Sequence, residues 1–213
     1  MSRTSSDQRQ ELVDVAARLL TEQGPRSLSA RALARETGTS TMAIYTYFGG
    51  MPGLVRAVIR EGFARLADRL ATVQASDDPV ADSFQLAIAY RQSAHLAPHL
   101  YAVMFGGSSI AGFQLSQEDR RIGLYTLRVA RDAITRCIQA GRFRPTDPWS
   151  ITQHTWCQLH GLVSLELAGY LTSTHPPDDE LRKYLRDLAI GAGDTLEQAQ
   201  ASIALALDRA NST

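Results

Sequence analysis

Apolar residues recur at helical spacing along almost the whole chain, and helix start and stop residues stand at the breaks between the runs. Between residues 7 and 23, Leu12, Val15, Ala16, Leu19 and Leu20 share one face, and Gly24-Pro25 ends the run. A second, shorter helix is predicted over residues 30–36, with Leu33 and Ala34 inward. Ser29 stands at its N-cap, and Leu28 and Leu33 are spaced to close a hydrophobic staple. Gly38 supplies the left-handed stop. Ser40 is placed to cap a third helix that begins at Thr41 and turns Ile44 and Phe48 inward, before the Gly49-Gly50 break.

Downstream the runs lengthen. Residues 53–73 read as a connector helix with Leu54, Val58, Phe63, Leu66 and Leu70 on its inner face. Asp77-Asp78-Pro79 starts a helix that reaches Leu96, with proline at its first position. Pro98 starts the short piece PHLYAVMF, and the Gly- and Ser-rich residues 106–116 read as a mobile loop. Ser116 then caps a helix over 117–140, and Asp147-Pro148 starts one that runs to Leu171. Pro176-Pro177 with Asp178, Asp179 and Glu180 opens the next, its acids at the positive dipole end. Gly191 and Gly193 interrupt it, and the pattern leaves open whether Asp194 caps a separate last helix. The fold class is all-α.

The two short helices around Gly38 form a helix-turn-helix pattern, and the first helix completes a three-helix module. The opening turn of the third helix, Thr41, Met42 and Ala43, lets a helix N-terminus approach phosphates and base edges closely. Tyr45, Thr46 and Tyr47 add hydroxyls of a length suited to phosphate oxygens.

These residues resemble the TetR-type transcriptional regulators of bacteria. The resemblance rests on QGPRSLS at the end of the first helix, then RALARETGTS, MAIYTYF, the glycine break and Leu54. It implies that Arg31 and Tyr47 hold the DNA backbone and that Thr41, Met42 and Ala43 face the bases, with Tyr45 and Thr46 alongside. Thr39 and Ser40, in the turn, complete the DNA-contacting set. Where the family often has a phosphate-gripping lysine after the break, this chain has Met51. That contact is lost, or a backbone amide at the next helix N-terminus replaces it.

The segment WCQLHGLVSLELAG, from Trp156 to Gly169, is similar to the C-terminal domain of a TetR subgroup with a Trp-His-Gly signature. The resemblance implies a DNA-binding domain over residues 1–51 and a helical effector-binding and dimerisation domain over 52–213. It implies a repressor released from double-stranded operator DNA by a small, largely apolar effector of unknown identity. Tyr90, Met104, Phe105, Phe113, Leu124, Tyr125, Trp156 and His160 are the candidate lining of the effector cavity.

A homodimer is also suggested by the pattern itself. Residues 148–171 leave almost no polar face, so one side must meet a partner once the other meets its own core. Leu159, Leu162, Leu167 and Tyr170, with Leu181, Tyr184, Leu185 and Leu188 of the next helix, are the candidate contacts of a four-helix interface about a two-fold axis. Gly161, mid-helix, suits a close approach by another helix.

Composition changes this picture little. With 213 residues and 44% hydrophobic content the chain can bury a sizeable core. The 22 basic and 22 acidic residues cancel, which argues against a general nucleic-acid coat. A polar N-terminus and the lack of a long apolar run lead to the expectation of a cytoplasmic protein without leader or membrane span. Cys137 and Cys157 have no metal-ligand spacing and read as buried, reduced thiols. His95 and His99 are four apart, but Pro98 breaks the helix between them. No catalytic motif, metal site or cofactor is expected. His160 reads as a satisfied core histidine or a ligand contact, and Glu166 as the partner of an arginine such as Arg128. Two alternatives stay open: an architectural DNA-binding protein without effector, and a helical small-molecule-binding protein or enzyme.

Overall fold

The computed structural model describes residues 5–106, 110, 113–171 and 174–211. The helices are α1 (Ser5–Gln23), α2 (Ala30–Thr37), α3 (Thr41–Phe48), α4 (Met51–Ala71), α5 (Pro79–Leu96), α6 (Pro98–Met104), α7 (Leu127–Gln139), α8 (Pro148–Leu167), α9 (Pro177–Ala192) and α10 (Leu196–Asn211). Among the described residues there is no strand, only an isolated bridge between Ile110 and Phe113. Residues 107–109 and 111–112 of the expected mobile loop lie outside the described residues.

Two compact units form. The first holds α1, α2, α3, α6 and α4 as far as Ala67. The second holds the end of α4 with α5, α7, α8, α9 and α10. In the first, Leu12, Ala16, Leu20, Leu33, Ile44, Leu54 and Val58 are fully buried, which places the apolar faces of α1 to α4 in one core. Gly53 sets the spacing of that core. A Cβ there would lie 1.8 Å from the Phe48 carbonyl oxygen, so only glycine lets α4 start so close to the end of α3.

The helix expected over residues 117–140 begins only at Leu127. Two short 3-10 turns, Asp119–Arg121 and Leu124–Thr126, precede it. The reason is a local Ser116–Asp119 cap joined by two side chains from α4. The buried Asp119 carboxylate accepts from the Ser116 amide at 3.0 Å and hydroxyl at 2.8 Å, and pairs with Arg56 Nε at 2.8 Å. Gly123 then passes under the Phe63 ring, where a Cβ would meet Cε1 at 2.1 Å. Burial alone would raise the Asp119 pKa, but the Ser116 bonds and Arg56 together bring it below the usual value.

In the second unit α5 starts as expected, with Asp78 Oδ1 accepting from the amides of Val80 and Ala81 at 3.0 Å. Helix α8 starts at Pro148 but ends at Leu167 rather than Leu171. Gly169 turns left-handed at φ 78°, and the Tyr170 amide bonds back to the Leu165 carbonyl. Gly191 stays helical, whereas Gly193 ends α9. A separate α10 follows, and its cap is Thr195, whose hydroxyl oxygen accepts from the Gln198 amide. Asp194 is spent elsewhere: its carboxylate takes Arg142 in a two-pronged pair at 2.8 and 2.7 Å.

Candidate nucleic-acid interface and helical effector unit

Ser29 caps α2 through its side chain, which accepts from the Ala32 amide at 3.2 Å, with Leu28 and Leu33 both buried beside it. Gly38 adopts φ 65° and lets the chain reverse into α3. Ser40 lies at the expected N-cap, but its side chain accepts no capping bond; its carbonyl takes the Ala43 amide instead. No side chain caps the start of α3, and Ser40 is exposed there.

Ile44 anchors α3 in the core while Met42 and Tyr45 are 66% and 59% exposed, so one helix divides cleanly into an inner and an outer face. Arg31, Ser40 and Thr46 are exposed; Thr39, Thr41, Ala43 and Tyr47 are half-buried. The Thr46 hydroxyl donates to the Met42 carbonyl at 3.0 Å, which leaves its oxygen as an acceptor toward solvent. Tyr47 donates to Gln8 Oε1 of α1 at 2.8 Å. Gln8, and Arg9 stacked 5.1 Å over the Phe48 ring, are residues the periodicity of α1 did not single out. At the N-terminus of α4, Pro52 has no amide to offer, so Met51 and Gly53 hold the backbone amides nearest the break.

The eight candidate cavity residues fall in both units. In the second, the Tyr90 hydroxyl and His160 Nδ1 share a hydrogen bond of 3.0 Å, and the Trp156 ring lies 6.2 Å from His160. Burial disfavours the imidazolium and lowers the His160 pKa from 6.5. In the first, Phe105 packs edge-on against Phe63 at 5.5 Å, Met104 covers Gly62, and Arg56 sits over Phe113. Leu124 and Tyr125 are exposed. Glu166 pairs not with Arg128 but with Arg91 of α5, at 2.6 Å, and with His95 at 3.0 Å. Burial works to raise its pKa, yet Arg91 and His95 outweigh it and the net shift is downward.

Of the candidate interface residues, Leu159, Leu181 and Leu185 are buried within the unit itself. Leu162, Leu167, Tyr184 and Leu188 are half-buried, and Tyr170 is 73% exposed. Between α8 and α9 an open cleft of about 1100 Å³ is lined by Cys157, Gly161, Leu162, Leu165, Tyr184 and Leu188, among others. Nothing lies within 4 Å of the Gly161 Cβ position. Cys157 is exposed in this cleft and not buried as expected, because it falls on the outer face of α8; Cys137 is buried. Among the described residues no cluster of metal-binding side chains occurs, and no helix is long and apolar enough to cross a membrane.

An all-helical chain with an outward-facing second helix after a glycine turn is the architecture of a helix-turn-helix regulator. Two family models match it: bacterial regulatory proteins of the tetR family over residues 12–58, and the tetracyclin repressor-like C-terminal domain over residues 83–188. The chain belongs to the TetR family. It is 33% identical over 144 residues to HTH-type transcriptional regulators of Mycobacterium bovis and Mycobacterium tuberculosis. That match covers 64% of this chain and 60% of the length of those relatives. Among solved structures, a protein with unknown function from Rhodococcus sp. RHA1 is 25% identical with a TM-score of 0.73, covering 88% of this chain and 96% of that one. RolR in complex with resorcinol shares the fold at a TM-score of 0.70, with 17% identity over 93% of this chain and 94% of its own. The family and the mycobacterial relatives are transcriptional regulators rather than enzymes.

Proposed function

We propose that this protein is a homodimeric transcriptional repressor of the bacterial cytoplasm, released from operator DNA by a small, largely apolar effector. Residues 1–51 carry the DNA and residues 52–213 the effector and the second subunit. The observation that supports the DNA half is the two-sided α3. Ile44 is fully buried, while Met42 and Tyr45, with Thr46 between Tyr45 and Tyr47, face outward on a helix whose first amides are uncapped. Arg31 and Tyr47 grip phosphates, Thr39 and Ser40 flank them, and Thr41, Met42 and Ala43 read base edges. The Gly53 amide stands in for the missing lysine at Met51.

The second subunit seats on the α8–α9 cleft. Leu162, Leu165, Leu167, Tyr170, Tyr184 and Leu188 meet their copies, and the open space at Gly161 admits a crossing helix. For the effector the reading rests on the Tyr90–His160–Trp156 group, which offers an aromatic wall with one polar pair. In RolR, which shares the fold, the bound ligand is resorcinol.

Selection of bound duplexes from a random-sequence pool tests the DNA-binding and dimeric parts of the reading. The enriched site should be an inverted repeat with half-sites one helical turn apart, or a multiple of it. Enrichment of no sequence, with weak salt-sensitive binding only, favours an architectural protein.

A further inference from the structure

The end of α4, the 72–76 turn, α5 and the end of α10 line an open cleft of about 720 Å³ within the second unit. Val73, Ile88 and Ala89 give it an apolar wall. Its charged lining consists of Arg69, Arg209 and Asp68, an excess of one positive charge. Arg209 is well held. Its Nη1 donates to Ser76 Oγ at 3.0 Å and lies 3.3 Å from Asp82, a buried carboxylate that also takes Arg136 at 2.8 Å. Two guanidinium groups therefore share one acid. Arg69 is held poorly: Nη2 donates to Gln92 Oε1 at 3.2 Å, and its buried Nε has no acceptor among the described residues. A buried charged donor without a partner is rare in native proteins and calls for a reason.

We propose that this cleft binds a small organic carboxylate with an apolar body, gripped by the Nε–Nη2 edge of Arg69. That edge matches the two oxygens of a carboxylate, whereas an amide or alcohol of the same size presents a single oxygen. Binding turns the guanidinium toward the cleft and exchanges its long bond to Gln92 for two charge-assisted ones. The released Gln92 amide can then donate to the ligand. The apolar body lies along Val73, Ile88 and Ala89, and the volume falls in the usual range for small-molecule sites. None of the lining residues belongs to the Tyr90, Trp156 and His160 group, so this is a second site beyond the effector pocket proposed above.

Calorimetric titration of the purified full-length protein tests it, with benzoate and hexanoate against benzamide and hexanamide. At least one carboxylate should bind saturably, and at least about tenfold more tightly than its amide. Arg69→Gln should weaken that carboxylate by about tenfold or more, Arg69→Lys by less, and Trp156→Ala not at all. Equal affinity for acid and amide, no saturable binding of either acid up to about 10 mM, or unchanged affinity in a folded Arg69→Gln protein overturns the assignment. Should Arg69→Gln fail to fold, the comparison of acid with amide on the unaltered chain decides alone.

Discussion

The Tyr47 hydroxyl donates to Gln8 Oε1 at 2.8 Å, tying the end of α3 to the start of α1. A phosphate oxygen can only accept, so Tyr47 must redirect that same proton to hold DNA, and the Gln8 amide is left beside the backbone to help. Tyr47→Phe should therefore weaken all duplexes alike, by about 1 kcal/mol, with an unchanged salt slope, because no charge is lost. Arg31→Ala should lower the salt slope by about one ion. Anisotropy titrations across a salt series separate the two. If both variants bind like wild type, the backbone contacts lie elsewhere.

Thr41→Ala should relax base preference at one position of the site by about 1–3 kcal/mol while leaving non-specific binding intact. Competition between single-base variants of the selected site measures it, and an unchanged preference removes Thr41 from the reading set.

Gly53→Ala should cost at least about 1–3 kcal/mol, because the Phe48 carbonyl occupies the space a Cβ needs and backbone cannot retreat as a side chain can. Gly161→Ala should stabilise the isolated protomer by roughly 1 kcal/mol, since that mid-helix position opens on empty space. Urea unfolding of the two variants supplies the comparison; equal stability would contradict the close α3–α4 contact.

Leu165→Arg, a charge placed in the α8–α9 cleft, should give a folded monomer by sedimentation, since Leu165 is 49% exposed in the protomer. The same variant should speed the reaction of Cys157 with a thiol reagent. Cys137, whose burial pushes its thiol up to about 12, should stay unreactive in both proteins. A wild-type monomer at micromolar concentration sinks the interface.

Stability should fall on the acid side in two windows. The folded pKa of His160 lies below 6.5, so the folded chain takes that proton later than the unfolded one. Its contribution is complete above 6.5 and is lost as pH drops from there toward the folded value. Glu166, lowered from 4.5, contributes fully above 4.5 and loses that contribution as pH falls through its folded pKa. His160→Gln should flatten the first window and leave the second; denaturant titrations at stepped pH report it.

Much of the local structure was legible in the chain. Ser29, Gly38 and Asp147-Pro148 act through neighbours a few residues away, and the structure finds each in its expected place, the Asp147 side chain accepting from the Trp149 amide at 3.2 Å. What the spacing could not disclose depends on distant residues. The break before α7 comes from Arg56 reaching Asp119 and from Phe63 crossing Gly123. Glu166 found Arg91, 75 positions away, over the nearer Arg128. Cys157 and Leu159 lie two positions apart on an apolar helix, and only its packing decides that one faces out and the other in.

The pairing of Asp82 with Arg136 and Arg209 also bears on the order in which the chain is made. Arg136 leaves the ribosome 54 residues after Asp82, and Arg209 lies 127 residues after it. At ordinary translation speeds of about 5–20 residues per second, that second interval is about 6–25 s. For that time the nascent second unit has an α5 whose buried acid lacks one of its two cations. A chain that terminates before residue 209 keeps the Arg136 side of this pairing and lacks the Arg209 side, so α10 is joined to α5 through Asp82 only at the very end of synthesis.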